Sequence, residues 1–74
     1  LEVRVIGHTD RVGSRLANDA LSKNRAEAIR DQLIASGVPA ESLETVGRGE
    51  RDLLVPTEDE VEEPRNRRVE INLR

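Results

Sequence analysis

Apolar and polar residues alternate from the first position of this 74-residue chain. Leu1, Val3 and Val5 fall on one side, Glu2 and Arg4 on the other, and Ile6 follows. A period of two with one apolar side predicts a strand over 1–6 with one face buried. Gly7 ends the pattern, and His8, Thr9 and Asp10 stand at the strand's end. The period then lengthens. Leu21, Ala28 (with Ile29) and Leu33 form an apolar stripe at helical spacing, which predicts a helix from about Arg15 to Ser36. Ser14 suits its N-cap, Gly37 suits the position after its end, and Pro39 forbids continuation.

Leu43, Thr45 and Val46 predict a second short strand, broken by Gly47 and Gly49 in a flexible turn. Arg51 to Pro64 is irregular, with an acidic run from Glu58 to Glu63. Thr57 and Glu60 have capping-box spacing, yet the stretch reads as a loop. Arg67 to Leu73 alternates most cleanly. Val69, Ile71 and Leu73 face one way with Arg67; Arg68, Glu70 and Asn72 face the other. The order is strand, helix, strand, loop, strand. A helical crossover makes the first two strands parallel. The expected fold is therefore α/β (α+β), a two-layer sandwich of a mixed sheet with the helix on one face. One helix covers only part of such a sheet. The chain also enters its alternation at once, so a partial domain is expected, with an N-terminal strand and helix missing.

Composition narrows the function. With no Phe, Tyr, Trp, Met or Cys, the core must be built from Leu, Val, Ile and Ala, which is thin at this size. Without aromatic residues to stack on bases, and with a net charge of −3, no nucleic-acid partner is expected. No run reaches the length of a membrane span. The lack of cysteine excludes disulfides and thiolate metal sites.

The helix stripe carries a polar intrusion. Asn18 and Arg25 are seven residues apart and share a face, with Leu21 and Ile29 four residues either side of Arg25. An arginine aimed inward must be paired or must meet a ligand, because burying a lone charge is prohibitive. Asp10, at the C-terminal end of a strand, stands at the rim where ligands bind in open sheets. Together the two residues suit a zwitterion: the guanidinium fork takes a carboxylate and the aspartate takes an ammonium. The alternative is an internal Asp10–Arg25 salt bridge in a structural or protein-interaction domain, the commoner outcome for an inward arginine. His8 and Asp10 alternate with strand spacing, but a metal site needs further ligands from the acidic run, and none is assigned. No catalytic set can be assembled around the single histidine.

Four motifs then carry a resemblance. Asn18, Leu21, Ser22, Arg25, Ala26, Ile29 and Leu33 reproduce the pattern Asn-x2-Leu-Ser-x2-Arg-Ala-x2-Val-x3-Leu, with Ile for Val as the only departure. Gly7 to Asp10 gives Gly-His-Thr-Asp. Gly47, Gly49 and Glu50 give Gly-x-Gly-Glu, and Asn66 to Glu70 gives Asn-Arg-Arg-Val-Glu. In this order they resemble the OmpA-like C-terminal domain, the peptidoglycan-associated module also found in Pal lipoproteins and MotB-type stators. The resemblance implies a βαβαβ-type sandwich whose first strand and helix would precede Leu1. It also implies a non-catalytic module, without cofactor, that binds peptidoglycan and anchors an envelope protein to the wall. By the same resemblance Asp10 and Arg25 hold the diaminopimelate of the stem peptide, with Asn18, Thr9 and Arg67 in support. The location implied is the periplasmic face of the envelope, with the outer membrane reached only through the parent protein. A homodimer is left open.

Overall fold

In the computed structural model, which describes residues 2–51 and 53–73, strand β1 (Val3–Gly7) is the centre of a three-stranded sheet. Leu1, expected on the same strand face, lies outside the described residues. Strand β2 (Leu43–Gly47) pairs parallel to β1, from Val3 opposite Leu43 to Gly7 opposite Gly47. Strand β3 (Val69–Leu73) pairs antiparallel on the other side, from Val3 opposite Leu73 to Gly7 opposite Val69. Parallel neighbours need a long crossover, and helix α1 (Arg15–Ala35) supplies it. The mixed sheet with one helix on one face is the architecture expected.

Register and pleat put Val3, Val5 and Gly7 on one face with Leu43, Thr45, Gly47, Val69, Ile71 and Leu73. The helix lies over β1 and β2 and only grazes β3. Val3, Val5 and Ala26 form the buried core, with Ile29, Leu33, Leu43 and Val69 packed around it. Ile71 and Leu73 point to the same side but stay 50% and 67% exposed, because the helix does not extend over them. Ile6, on the reverse face, is buried as well, so β1 is covered on both sides at its end.

The inward stripe of α1 differs from the one expected. It runs Asn18, Ser22, Ala26, then Ile29 and Leu33, while Leu21 is 42% exposed and Ala28 is exposed. The reason lies in the sheet. A Cβ at Gly7 would collide with the carbonyl oxygen of Ser22, and one at Gly47 would lie 2.6 Å from the backbone nitrogen of Lys23. The two glycines face each other across the parallel pair, so the helix backbone rests directly on the strands there. Only a side chain as small as Ser22 fits beneath it. Gly7 and Gly47 are thus sites of close approach. The strained turn of that segment is at Gly49, whose φ is +56°.

The helix ends follow the sequence cues. Ser14 Oγ accepts from the Ala17 N–H at 3.1 Å, a cap that stabilises by about 1 kcal/mol. At the other end the Gly37 N–H donates to Ile34 O and the Val38 N–H to Leu33 O, both at 3.0 Å. Gly37 turns the chain at φ +108°. The stretch before β3 is a loop, as expected, without a helical turn at Thr57. It closes in a single 3₁₀ turn, Pro64–Asn66. There the buried Asn66 accepts from the Val55 N–H and donates to the Val55 carbonyl, both at 2.8 Å. Strand β3 therefore starts two residues later than expected, and Arg67 caps the turn instead of opening the strand.

Candidate functional site

The sheet's upper edge is extended by backbone bonds beyond β1. The His8 N–H donates to Arg68 O at 2.8 Å, and the Thr9 N–H donates to Gly49 O at 2.9 Å. Residues 8 and 9 are therefore gripped from the segments on both sides before the chain turns toward the helix. Thr9 Oγ1 donates to the Asp10 carbonyl at 2.9 Å. Asn18 Nδ2 donates to Val12 O at 3.0 Å and to Asp10 O at 3.3 Å. These two polar side chains are spent on holding the loop in place.

Around this loop lies a cleft of about 210 Å³. Thr9, Asp10, Asn18, Arg25 and Arg67, the five residues singled out from the sequence, all line it. Val12, Leu21 and Glu62 complete the wall. Leu21, expected in the core, instead supplies apolar surface to the cleft.

Asp10 is 5% exposed. Its Oδ1 accepts from the Val12 N–H at 3.2 Å and its Oδ2 from the Glu63 N–H at 3.4 Å. Its ion pair is with Arg67, whose Nε lies 3.5 Å from Oδ2. The internal Asp10–Arg25 salt bridge weighed from the sequence is not formed. Asn18 holds the carbonyl of Asp10, whereas Arg25 reaches only that of His8, with Nη1 at 3.4 Å. The two side chains enter the cleft at different levels of the strand. Among the described residues Arg25 makes no ion pair, although it is half-buried.

The charges on the wall are two arginines and two carboxylates. They leave the cleft neutral overall but bipolar, a surface that can take a carboxylate and an ammonium together. A larger cleft, about 640 Å³, lies on the far side of Arg11. Most of its charges are already matched. Arg11 Nε lies 2.9 Å from Glu50, the same guanidinium pairs with Asp59, and Arg51 lies 2.9 Å from Asp19. An incoming ligand there would have to displace existing ion pairs.

His8 is fully buried and sets its Nε2 2.5 Å from Glu70 Oε2 on β3. Among the described residues no group of three or more His, Asp or Glu side chains is arranged to hold a metal. Glu63, on the acidic run, is held below the ordinary glutamate range, chiefly by hydrogen bonds from the Arg65 side chain and backbone.

Ser22 is a supporting residue that the sequence pattern concealed. Its hydroxyl donates to Asp19 O at 2.9 Å and accepts from the Gly49 N–H at 2.8 Å. Gly49 in turn holds Thr9, so the helix fixes the floor of the cleft through one hydroxyl. Glu62 could not be assigned to the cleft from its position in the chain, since a long loop brings it there.

Among the described residues no helix is long and apolar enough to cross a membrane. Comparison with known proteins places the geometry in a family. The model of the OmpA family matches residues 1–67. Outer membrane protein A of Klebsiella aerogenes is 46% identical over 48 residues, which are 65% of this chain and 14% of that protein. The peptidoglycan-associated lipoprotein from Burkholderia pseudomallei superposes with a TM-score of 0.86 at 33% identity, covering 95% of this chain and 59% of the other. The C-terminal domain of Helicobacter pylori MotB gives 0.80 at 29% identity, covering 96% and 57%. The chain thus spans less than two thirds of each of these relatives. The relatives include outer membrane proteins and peptidoglycan-associated lipoproteins of the bacterial envelope, and OmpA-like domains are non-catalytic. With its motifs, its sheet order and a family match running from residue 1 to residue 67, the chain belongs to the OmpA family.

Proposed function

We propose that the cleft binds cell-wall peptidoglycan through the diaminopimelate of the stem peptide. Arg25 takes a carboxylate and Asp10 takes the side-chain ammonium. Arg67 holds the Asp10 carboxylate in place, and Thr9 and Asn18 hold the loop that presents it. The observation that carries this reading is the state of Arg25. A half-buried guanidinium on the wall of a cleft, with one 3.4 Å bond to a carbonyl and no ion pair among the described residues, leaves donors free for an incoming anion.

The alternative of a purely structural domain rested on an Asp10–Arg25 bridge, and Asp10 pairs with Arg67 instead. Charge-assisted contacts are worth about 1.5–3 kcal/mol each, so two of them give modest affinity per site. Firm attachment then comes from many sites meeting a polymer of repeated ligands. Residues 1–74 would form the wall-binding part of a larger envelope protein on its periplasmic face, with any outer-membrane anchor supplied by that parent. Sedimentation with purified sacculi tests the reading. The chain should pellet with sacculi rich in diaminopimelate and be released by free meso-diaminopimelate; a chain that stays in the supernatant contradicts it.

A further inference from the structure

The acidic loop brings a second carboxylate to the cleft. Glu62 lines the same wall as Asp10, Arg25 and Arg67 and is solvent-exposed. It makes no hydrogen bond or ion pair with any described residue. Asp10 differs in this respect. A carboxylate offers about four lone-pair sites. Those of Asp10 already serve the Val12 and Glu63 N–H groups and Arg67, and its side chain is only 7% exposed. An ammonium carries three N–H donors. Asp10 can satisfy little more than one of them.

The placement of Glu62 is enforced by the loop around it. Arg11 donates through Nε to Glu50 and through Nη1 to the Thr57 carbonyl, both at 2.9 Å, and its guanidinium pairs with Asp59. The Arg11 carbonyl accepts from the Glu60 N–H at 2.9 Å. Glu60 turns the chain at φ +63°, and three residues on the Glu63 N–H is bonded to Asp10. The backbone is therefore pinned on both sides of Glu62, which keeps the residue beside the rim of the cleft.

We propose that Glu62 is a specificity residue of the cleft, accepting hydrogen bonds from the ligand's side-chain ammonium while Arg25 holds the neighbouring carboxylate. The proposal rests on the stem-peptide reading of the cleft. Without Glu62 the four wall charges become two positive and one negative. The cleft would then favour a ligand that keeps both carboxylates but lacks an ammonium.

The experiment is a calorimetric titration of meso-diaminopimelate and of pimelate, which has the same chain and both carboxylates but no amino group. Wild type, Glu62→Gln and Arg25→Ala are compared. Glu62→Gln should weaken meso-diaminopimelate roughly three- to fivefold at low salt, as for an exposed ion pair. It should leave pimelate as tight or tighter, with an unchanged melting temperature, and the difference should shrink as salt is added. An unchanged preference between the two ligands in Glu62→Gln overturns the role of Glu62. If Arg25→Ala abolishes binding in the same series, the stem-peptide reading survives that failure. If wild type binds neither ligand, both fall.

Discussion

Arg67 Nε stands 3.5 Å from Asp10 Oδ2, so the acid at the strand's end is matched from the β3 side and not from the helix. Asp10 thereby does two jobs: it lines the cleft and it fastens the loop. Replacing it by Ala orphans the Val12 and Glu63 N–H groups as well as Arg67, and should cost about 2–3 kcal/mol. Arg67→Ala should cost about 1 kcal/mol, because Arg67 is 41% exposed and water screens the pair. Urea midpoints for the two variants check the order. An equal cost would mean that the backbone bonds of Asp10 contribute nothing.

The contact between helix and sheet through Gly7 and Gly47 has its own test. Gly7→Ala places a methyl against backbone, not against a pliable side chain, and should destabilise by about 3 kcal/mol. Gly13 has open space around its Cβ direction but a φ of +84°. Its Ala variant should lose only about 1 kcal/mol of stability, through backbone strain. Thermal unfolding of the two variants separates steric exclusion from backbone conformation.

Ser22→Ala removes the acceptor of the Gly49 N–H at a buried position and should cost about 1–3 kcal/mol. The sharper readout is local. Amide exchange at Gly49 and at Thr9, which leans on the Gly49 carbonyl, should accelerate more than exchange in the centre of the sheet.

The Glu63 carboxyl is held low mainly by the Arg65 side chain, so this arrangement favours the fold above the ordinary glutamate range. Its contribution disappears as pH falls through the depressed value. Carbon-detected titration should show Glu63 protonating below the ordinary glutamate range, and Arg65→Ala should move it only part of the way back, because the backbone N–H of residue 65 still donates to the carboxylate.

Strand, helix and loop were legible because each announces itself locally, through a period of two, a period near four, or Gly and Pro stops. All five candidate residues share one cleft because the motif places them on the strand end, the helix and the turn before β3. The facing of the helix was not legible. Leu21 outranks Ser22 in hydrophobicity, and only the two glycines, far apart in the chain and adjacent in the sheet, decide that Ser22 lies inward. The exposure of Ile71 and Leu73 escaped for a similar reason: alternation names the side of a strand but not how far a helix reaches across it. The partner of Asp10 and the place of Glu62 both depend on the path of the loop between β2 and β3, which carries no periodic signal.

The central claim is that Arg25 lacks an internal acid because its acid comes with the ligand. Titration of a meso-diaminopimelate stem peptide into wild type and into Arg25→Ala tests it most directly. The account predicts saturable binding by wild type and a loss of roughly tenfold or more in Arg25→Ala, which is one charge-assisted contact removed. Equal binding by the two proteins would contradict it.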